Sequence, residues 1–234
     1  MTMNKEPLLL LHGAVGSSDQ LRILAERLQQ DQPVYLLDFN GHGGNPFTGT
    51  EFSIAHFAEE VLNFMEEKNI SKANIFGYSM GGYVGVYLAK NFPEKIMSVI
   101  TLGTKFSWDE AIAKKESQLL DPKIIEAKVP GFAAELSNRH APVDWKDLLN
   151  RTARLLGAMG IDNPLKVDHY SSILQHICIM LGDRDKMVGL DETIEVYRRL
   201  PNARLAVLPG TPHLIEKVDP ELLAFEITRF LGSC

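Results

Sequence analysis

The sequence predicts an α/β fold: a mainly parallel sheet of about six strands with helices on both faces, interrupted by a helical insertion. Three observations predict it. Short apolar runs alternate with helical patterns over residues 1–103 and again over 172–234, and that order requires parallel strands joined by crossovers. The alternation stops over residues 104–171, where apolar faces recur at helical spacing without a clear strand. A stretch of that length is too long for a loop and is expected to form a small helical cap, or lid. The chain has 234 residues, 45% hydrophobic and 23% charged, which suits one domain with a large core.

The elements follow in order. Leu8–Leu11 is apolar throughout, as expected of a strand covered on both faces. Ser17 and Ser18 offer an N-cap for an amphipathic stretch ending near Gln30. Residues 33–39, "PVYLLDF", form the second strand, followed by a glycine-rich loop, "NGHGGNP". Ile54, Phe57, Val61, Leu62 and Met65 fall at helical spacing within 53–68. Ala73–Gly77 is the third strand, Met80–Asn91 a helix and Ile96–Leu102 the fourth strand. Within the insertion, Trp108, Ile112, Leu119, Trp145, Leu148, Leu149, Leu155 and Leu156 mark apolar faces, punctuated by prolines at 122, 130, 142 and 164. Alternation returns with a strand at 177–182, a helix over 191–200, a strand at 203–209 and a last helix with Asp219 as N-cap and Pro220 at its first position.

The net charge of −6 argues against nucleic acid or an anionic membrane as partner. A small neutral or apolar molecule remains compatible with it. Of the two cysteines, Cys178 sits in an apolar run and Cys234 is the last residue, so no structural disulfide is expected and a reducing compartment is favoured. The four leucines before His12 are too few for a signal-peptide core or a membrane span. A soluble, cytoplasmic protein is the expectation.

Ser79 lies in "IFGYSMGG", residues 75–82. Gly-x-Ser-x-Gly can be an ordinary flexible turn. Here it follows a strand and opens a helix, the setting in which a tight elbow presents a serine hydroxyl as a nucleophile. Serine needs a base. Among seven histidines, His213 lies in the loop after the last strand. A carboxylate must fix its tautomer, and Asp183 and Asp185 both follow the preceding strand. All these positions lie at the carboxyl ends of parallel strands, where open α/β sheets bind ligands.

The segments "LLLHG" (9–13), "DFNGHG" (38–43), "GYSMGG" (77–82), "LGDRDKMV" (181–188) and "PHLIEKVDPE" (212–221) occur in order on the expected elements. In these motifs the sequence resembles the α/β-hydrolase superfamily, among its small lidded serine esterase-like members. The resemblance covers both ends of the chain but not the insertion. It implies a core of 1–103 and 172–234 around a cap of 104–171. It implies Ser79 as nucleophile, His213 as general base and Asp185 as triad acid, leaving Asp183 to cap the loop or pair with Arg184. It also implies an oxyanion hole from the backbone N–H groups of Ala14 and Met80. Two positions depart from the family pattern: Pro212 where glycine is usual, and Ala14 where many relatives carry an aromatic residue. Only 11 residues precede His12, so the N-terminal hairpin common in the family is expected to be missing. That would place "PVYLLDF" at a sheet edge, where it could pair in a homodimer.

Other conspicuous residues read more plainly. His12 and His42 are expected to brace their loops. His140, His169 and His176 lack metal-ligand spacing, so no metal is expected. "GHGG" lacks the features of a nucleotide loop, and no cofactor is implied. Phe106, Trp108 and Trp145 are substrate-pocket candidates, because a cap roofs the pocket. The expected activity is hydrolysis of a small carboxylic ester or thioester through an acyl-enzyme. The alternatives are C–C bond hydrolysis, lyase or acyl-transfer chemistry with the same groups, or a ligand-binding receptor or signalling role with vestigial hydrolysis.

Overall fold

The computed structural model of the protein describes residues 6–49 and 51–233. Among them, six strands form one sheet: β1 (Leu8–Leu11), β2 (Val34–Leu37), β3 (Ala73–Tyr78), β4 (Ile96–Leu102), β5 (His176–Gly182) and β6 (Ala203–Leu208). Their spatial order is β2-β1-β3-β4-β5-β6, and every pairing is parallel. β2 is therefore an edge strand, as the sequence suggested.

The continuous leucines of β1 serve two cores. Leu9 and Leu11 pack in one layer with Phe57, Val61, Ile75 and Val99. Leu8 and Leu10 pack in the other with Leu24, Phe76, Ile227 and Phe230. All four are fully buried. The helices divide accordingly. α1 (Arg22–Leu28) contributes to the second layer, and α2 (Ile54–Glu67) and α3 (Met80–Asn91) to the first.

Between β4 and β5 the chain forms α4 (Glu110–Gln118), α5 (Pro122–Lys128), α6 (Pro130–His140) and α7 (Trp145–Ile161). Three of these helices start on an aspartate whose carboxylate accepts a backbone N–H in the first turn: Asp109 from Ile112, Asp121 from Lys123 and Asp144 from Lys146. Such caps satisfy donors that the helix itself leaves unpaired. Pro122 and Pro130 occupy first-turn positions, where the missing N–H is harmless. The insertion has its own small core of Ile125, Leu136, Trp145 and Leu149. Leu148, Leu155 and Met159 of α7 instead join the layer beneath, on the sheet. The remaining helices are α8 (Leu190–Arg199) and α9 (Pro220–Leu231), the latter capped by Asp219.

Two elements are shorter than expected. β2 stops at Leu37 because the next groups turn to side chains. Asp38 accepts from the Ser18 N–H and hydroxyl at 2.7 and 2.6 Å, and the Phe39 N–H donates to His12 Nε2. The stretch after Ser17 opens as a 3-10 turn, Ser18–Leu21, before α1 begins. Cys178 is buried in β5; Cys234 lies outside the described residues. No helix among the described residues is long and apolar enough to cross a membrane.

Candidate active site

Ser79 sits between β3 and α3 with φ 51° and ψ −114°. A left-handed φ at a residue with a Cβ is strained by about 1–3 kcal/mol and persists only where neighbours enforce it. They do so here. The Ser79 N–H donates to the Leu102 carbonyl at 2.8 Å. Its carbonyl accepts from the Thr104 hydroxyl at 2.9 Å. A Cβ on Gly77 would collide with the backbone of Gly81 and Gly82, and one on Gly81 with the Leu11 carbonyl. These glycines let strand and helix touch.

His213 approaches from the loop after β6. Its Nδ1 lies 2.7 Å from Asp185 Oδ2. A carboxylate only accepts, so Nδ1 carries the hydrogen and a neutral ring leaves Nε2 as an acceptor. The other Asp185 oxygen accepts from the Met187 and Val188 N–H groups at 2.8 and 2.9 Å. Burial pushes the Asp185 carboxyl up, but the His213 bond and these two N–H groups outweigh it and hold the acid below its usual range. Asp183 does not touch the imidazole. It accepts from the Thr211 N–H at 3.2 Å and lies 3.9 Å from Arg184. Gly103, which sequence reasoning passed over, lies beneath the pair at φ 60°. A Cβ there would come within 3.2 Å of both Asp185 Oδ2 and His213 Nδ1.

The N–H groups of Ala14 and Met80 have no hydrogen-bond partner among the described residues. Both residues, with Ser79 and His213, line a cavity of about 320 Å³. Met80 opens α3, so its N–H carries the positive end of the helix dipole. His12, fully buried, donates from Nδ1 to the Gly13 carbonyl at 2.8 Å and accepts from the Phe39 N–H at 3.2 Å. His42 donates from Nδ1 to the Asn40 carbonyl at 2.9 Å. Both brace loops, as expected. Burial lowers the pKa of each. Among the described residues no group of three His, Cys, Asp or Glu side chains could hold a metal ion.

The rest of the cavity wall is mostly apolar, with Trp108, Leu119, Phe132, Leu155 and Leu156 prominent. Trp108 is thus on the wall, but the other two aromatic candidates are not. Phe106 is 2% exposed and packs between Tyr83 and Tyr170, with ring centroids 6.2 and 6.0 Å away. Trp145 belongs to the core of the insertion. Lys105 is the one lysine or arginine on the wall among the described residues, and it pairs with Glu192 at 3.2 Å; Glu116 is also on the wall.

A family model described as the alpha/beta hydrolase fold matches residues 6–157. The chain is 25% identical to the 2-(acetamidomethylene)succinate hydrolase of Mesorhizobium japonicum, over 97% of this chain and 88% of that one. It is 21% identical to the esterase YbfF of Escherichia coli, over 98% and 94%. Its fold is similar to that of a thermophilic esterase from Thermogutta terrifontis, with a TM-score of 0.80, 18% identity, and 98% of this chain and 90% of that one covered.

Proposed function

The chain belongs to the alpha/beta hydrolase fold family, and from that premise we propose that it is a serine hydrolase acting on a small carboxylic ester or thioester. The observation that carries this reading is the meeting, in one cavity, of Ser79, an imidazole fixed by Asp185 at 2.7 Å, and two unpartnered N–H groups.

The chemistry follows from those groups. His213 Nε2 takes the proton as Ser79 Oγ attacks the acyl carbon. The carbonyl oxygen becomes an oxyanion between the N–H groups of Ala14 and Met80. Such donors are preorganised and lower the barrier by about 3 kcal/mol each. Asp185 stabilises the imidazolium without taking the proton. As the tetrahedral centre collapses, His213 protonates the departing alcohol or thiol, leaving an acyl group on Ser79. A water deprotonated by His213 then attacks that acyl group. As the second tetrahedral centre collapses, His213 returns the proton to Ser79 Oγ, the Oγ–acyl bond breaks and the acid leaves.

The helical insertion acts as the cap over this site. The wall favours an uncharged acyl group, because its prominent side chains are apolar and Lys105 is already paired with Glu192.

The test is active-site labelling with a fluorophosphonate beside a p-nitrophenyl ester panel of graded chain length. Labelling and turnover in the wild type, both absent in Ser79→Ala, are expected. Labelling of Ser79→Ala equal to wild type would refute the role of Ser79. Labelling of the wild type without turnover of any ester would point instead to C–C bond, lyase or acyl-transfer chemistry.

A further inference from the structure

The helical insertion reaches back to the loop that presents the Ala14 N–H. α6 ends at His140, which is fully buried. Its Nδ1 accepts the Gly43 N–H at 3.1 Å. In the neutral ring Nε2 therefore carries the hydrogen, and it lies 3.0 Å from the Val15 carbonyl. Burial pushes the His140 pKa down to about 4, so the ring is neutral in neutral solution. Arg139 donates to the same carbonyl at 3.3 Å and to Glu216 at 3.2 Å. Glu216 follows His213 by three residues, and Gln20 donates to the same Glu216 oxygen. Gln20 in turn accepts the Ser17 N–H at 3.0 Å.

The clamped residue is strained. Val15 has φ 52°, and a β-branched side chain rarely tolerates that region. The strain is held in place by what grips the Val15 carbonyl. That carbonyl and the Gly16 N–H belong to one planar peptide group. The Gly16 N–H donates to the Gly13 carbonyl at 3.1 Å. The Gly13 carbonyl and the Ala14 N–H are in turn the two ends of one peptide plane. Fixing the first plane therefore acts, together with His12, whose Nδ1 donates to the same Gly13 carbonyl at 2.8 Å, to aim the second.

Resting on the serine hydrolase reading, we propose that His140 and Arg139 are positioning residues: by clamping the Val15–Gly16 peptide they aim the Ala14 N–H at the reacting carbonyl oxygen. The insertion is then part of the catalytic apparatus as well as the wall of the cavity.

The test compares His140→Phe, His140→Gln and Arg139→Met with the wild type. The readouts are steady-state kinetics on a p-nitrophenyl ester, the fluorophosphonate labelling rate, and inhibition by an aryl trifluoromethyl ketone, whose serine adduct places an oxyanion in the hole. Losing an oxyanion donor outright costs about 10²–10³ in kcat. A donor left in place but misaimed should cost about 10- to 100-fold in His140→Phe and less in Arg139→Met. KM should stay near wild type. Ketone affinity should fall in step with kcat/KM, and His140→Gln, which can still donate to Val15, should recover much of the loss. If His140→Phe does not fold, Arg139→Met carries the comparison alone, since it removes a surface-reaching donor to the same carbonyl. Wild-type kcat and ketone affinity in a folded Arg139→Met and His140→Phe would overturn the clamp and leave the hydrolase reading intact. A wild type inert to ester, ketone and fluorophosphonate alike would overturn both.

Discussion

Replacing Asp185 by asparagine changes one atom in a buried side chain whose contacts are all defined. The oxygen that accepts the Met187 and Val188 N–H groups at 2.8 and 2.9 Å can be kept as the amide oxygen. The amide nitrogen must then sit where Oδ2 now lies, 2.7 Å from His213 Nδ1. An amide nitrogen only donates, so His213 must leave Nδ1 bare and hold its hydrogen on Nε2. The ring then cannot accept the Ser79 proton. The side chain is 1% exposed, so water cannot readily restore the lost tautomer. In Ser-His-Asp hydrolases this exchange lowers kcat by about 10⁴, a barrier rise of about 5.5 kcal/mol. We expect that loss in Asp185→Asn, with KM little changed.

The same substitution has a pH signature in stability. The folded carboxyl is held below its ordinary range. Its charge therefore stabilises the fold above that range, and the contribution disappears as pH falls through the folded pKa. Asp185→Asn should melt below wild type near neutral pH and approach it in acid. The assay is kcat and KM on a p-nitrophenyl ester together with thermal melts at neutral and acidic pH. Asp183→Asn is the control, since Asp183 holds the Thr211 N–H and not the imidazole. A kcat for Asp185→Asn within tenfold of wild type, or an equal loss in Asp183→Asn, would refute the reasoning.

Three further substitutions test the scaffold. Burial raises the Glu60 carboxyl to about 7, against the lowering effect of the Asn40 N–H that it accepts at 2.9 Å. A raised carboxyl supports the fold below its ordinary pKa and loses that support as pH rises through about 7. Glu60→Gln should therefore be near neutral at acidic pH and stabilising on the order of 2 kcal/mol in alkaline solution; identical urea midpoints across that range would refute it. Gly77→Ala drives a Cβ into the Gly81–Gly82 backbone and should cost about 1–3 kcal/mol and abolish fluorophosphonate labelling. Gly157→Ala, in mid-α7 with nothing within 4 Å of the added carbon, should instead stabilise by about 0.5–1 kcal/mol. Urea denaturation of both variants decides, and the two shifting in the same direction would count against the packing account.

Much of this was legible in sequence because the signals are local. α3 and β4 have the bounds that their apolar runs and flanking residues predict. Ser79, Asp185 and His213 follow from motifs a few residues long. What stayed hidden depends on direction or distance. Phe106 and Trp108 are two positions apart, yet one turns into the core and the other to the cavity, and composition does not encode that choice. Trp145 was equally ambiguous, being apolar enough for either place. Asp109, Asp121 and Asp144 were readable as caps only once the helix starts were known. The bond between His140 and Val15 spans 125 positions, and no periodic pattern reports a pairing of that kind. Gly103 carries no flag in sequence, because the groups that a Cβ there would crowd arrive on two other loops.

α7 sinks Leu148, Leu155 and Met159 into the same hydrophobic layer as Phe57, Ile75 and Val99. Swinging this helix outward as a flap would expose apolar surface from both sides of the seam at once. The insertion is therefore welded to the sheet along α7, and the two should melt in a single transition. α7 thus stands as a fixed wall through Leu155, Leu156 and Met159, and any widening of the cavity for a ligand falls to side chains or to the segments that carry Glu116, Leu119 and Phe132.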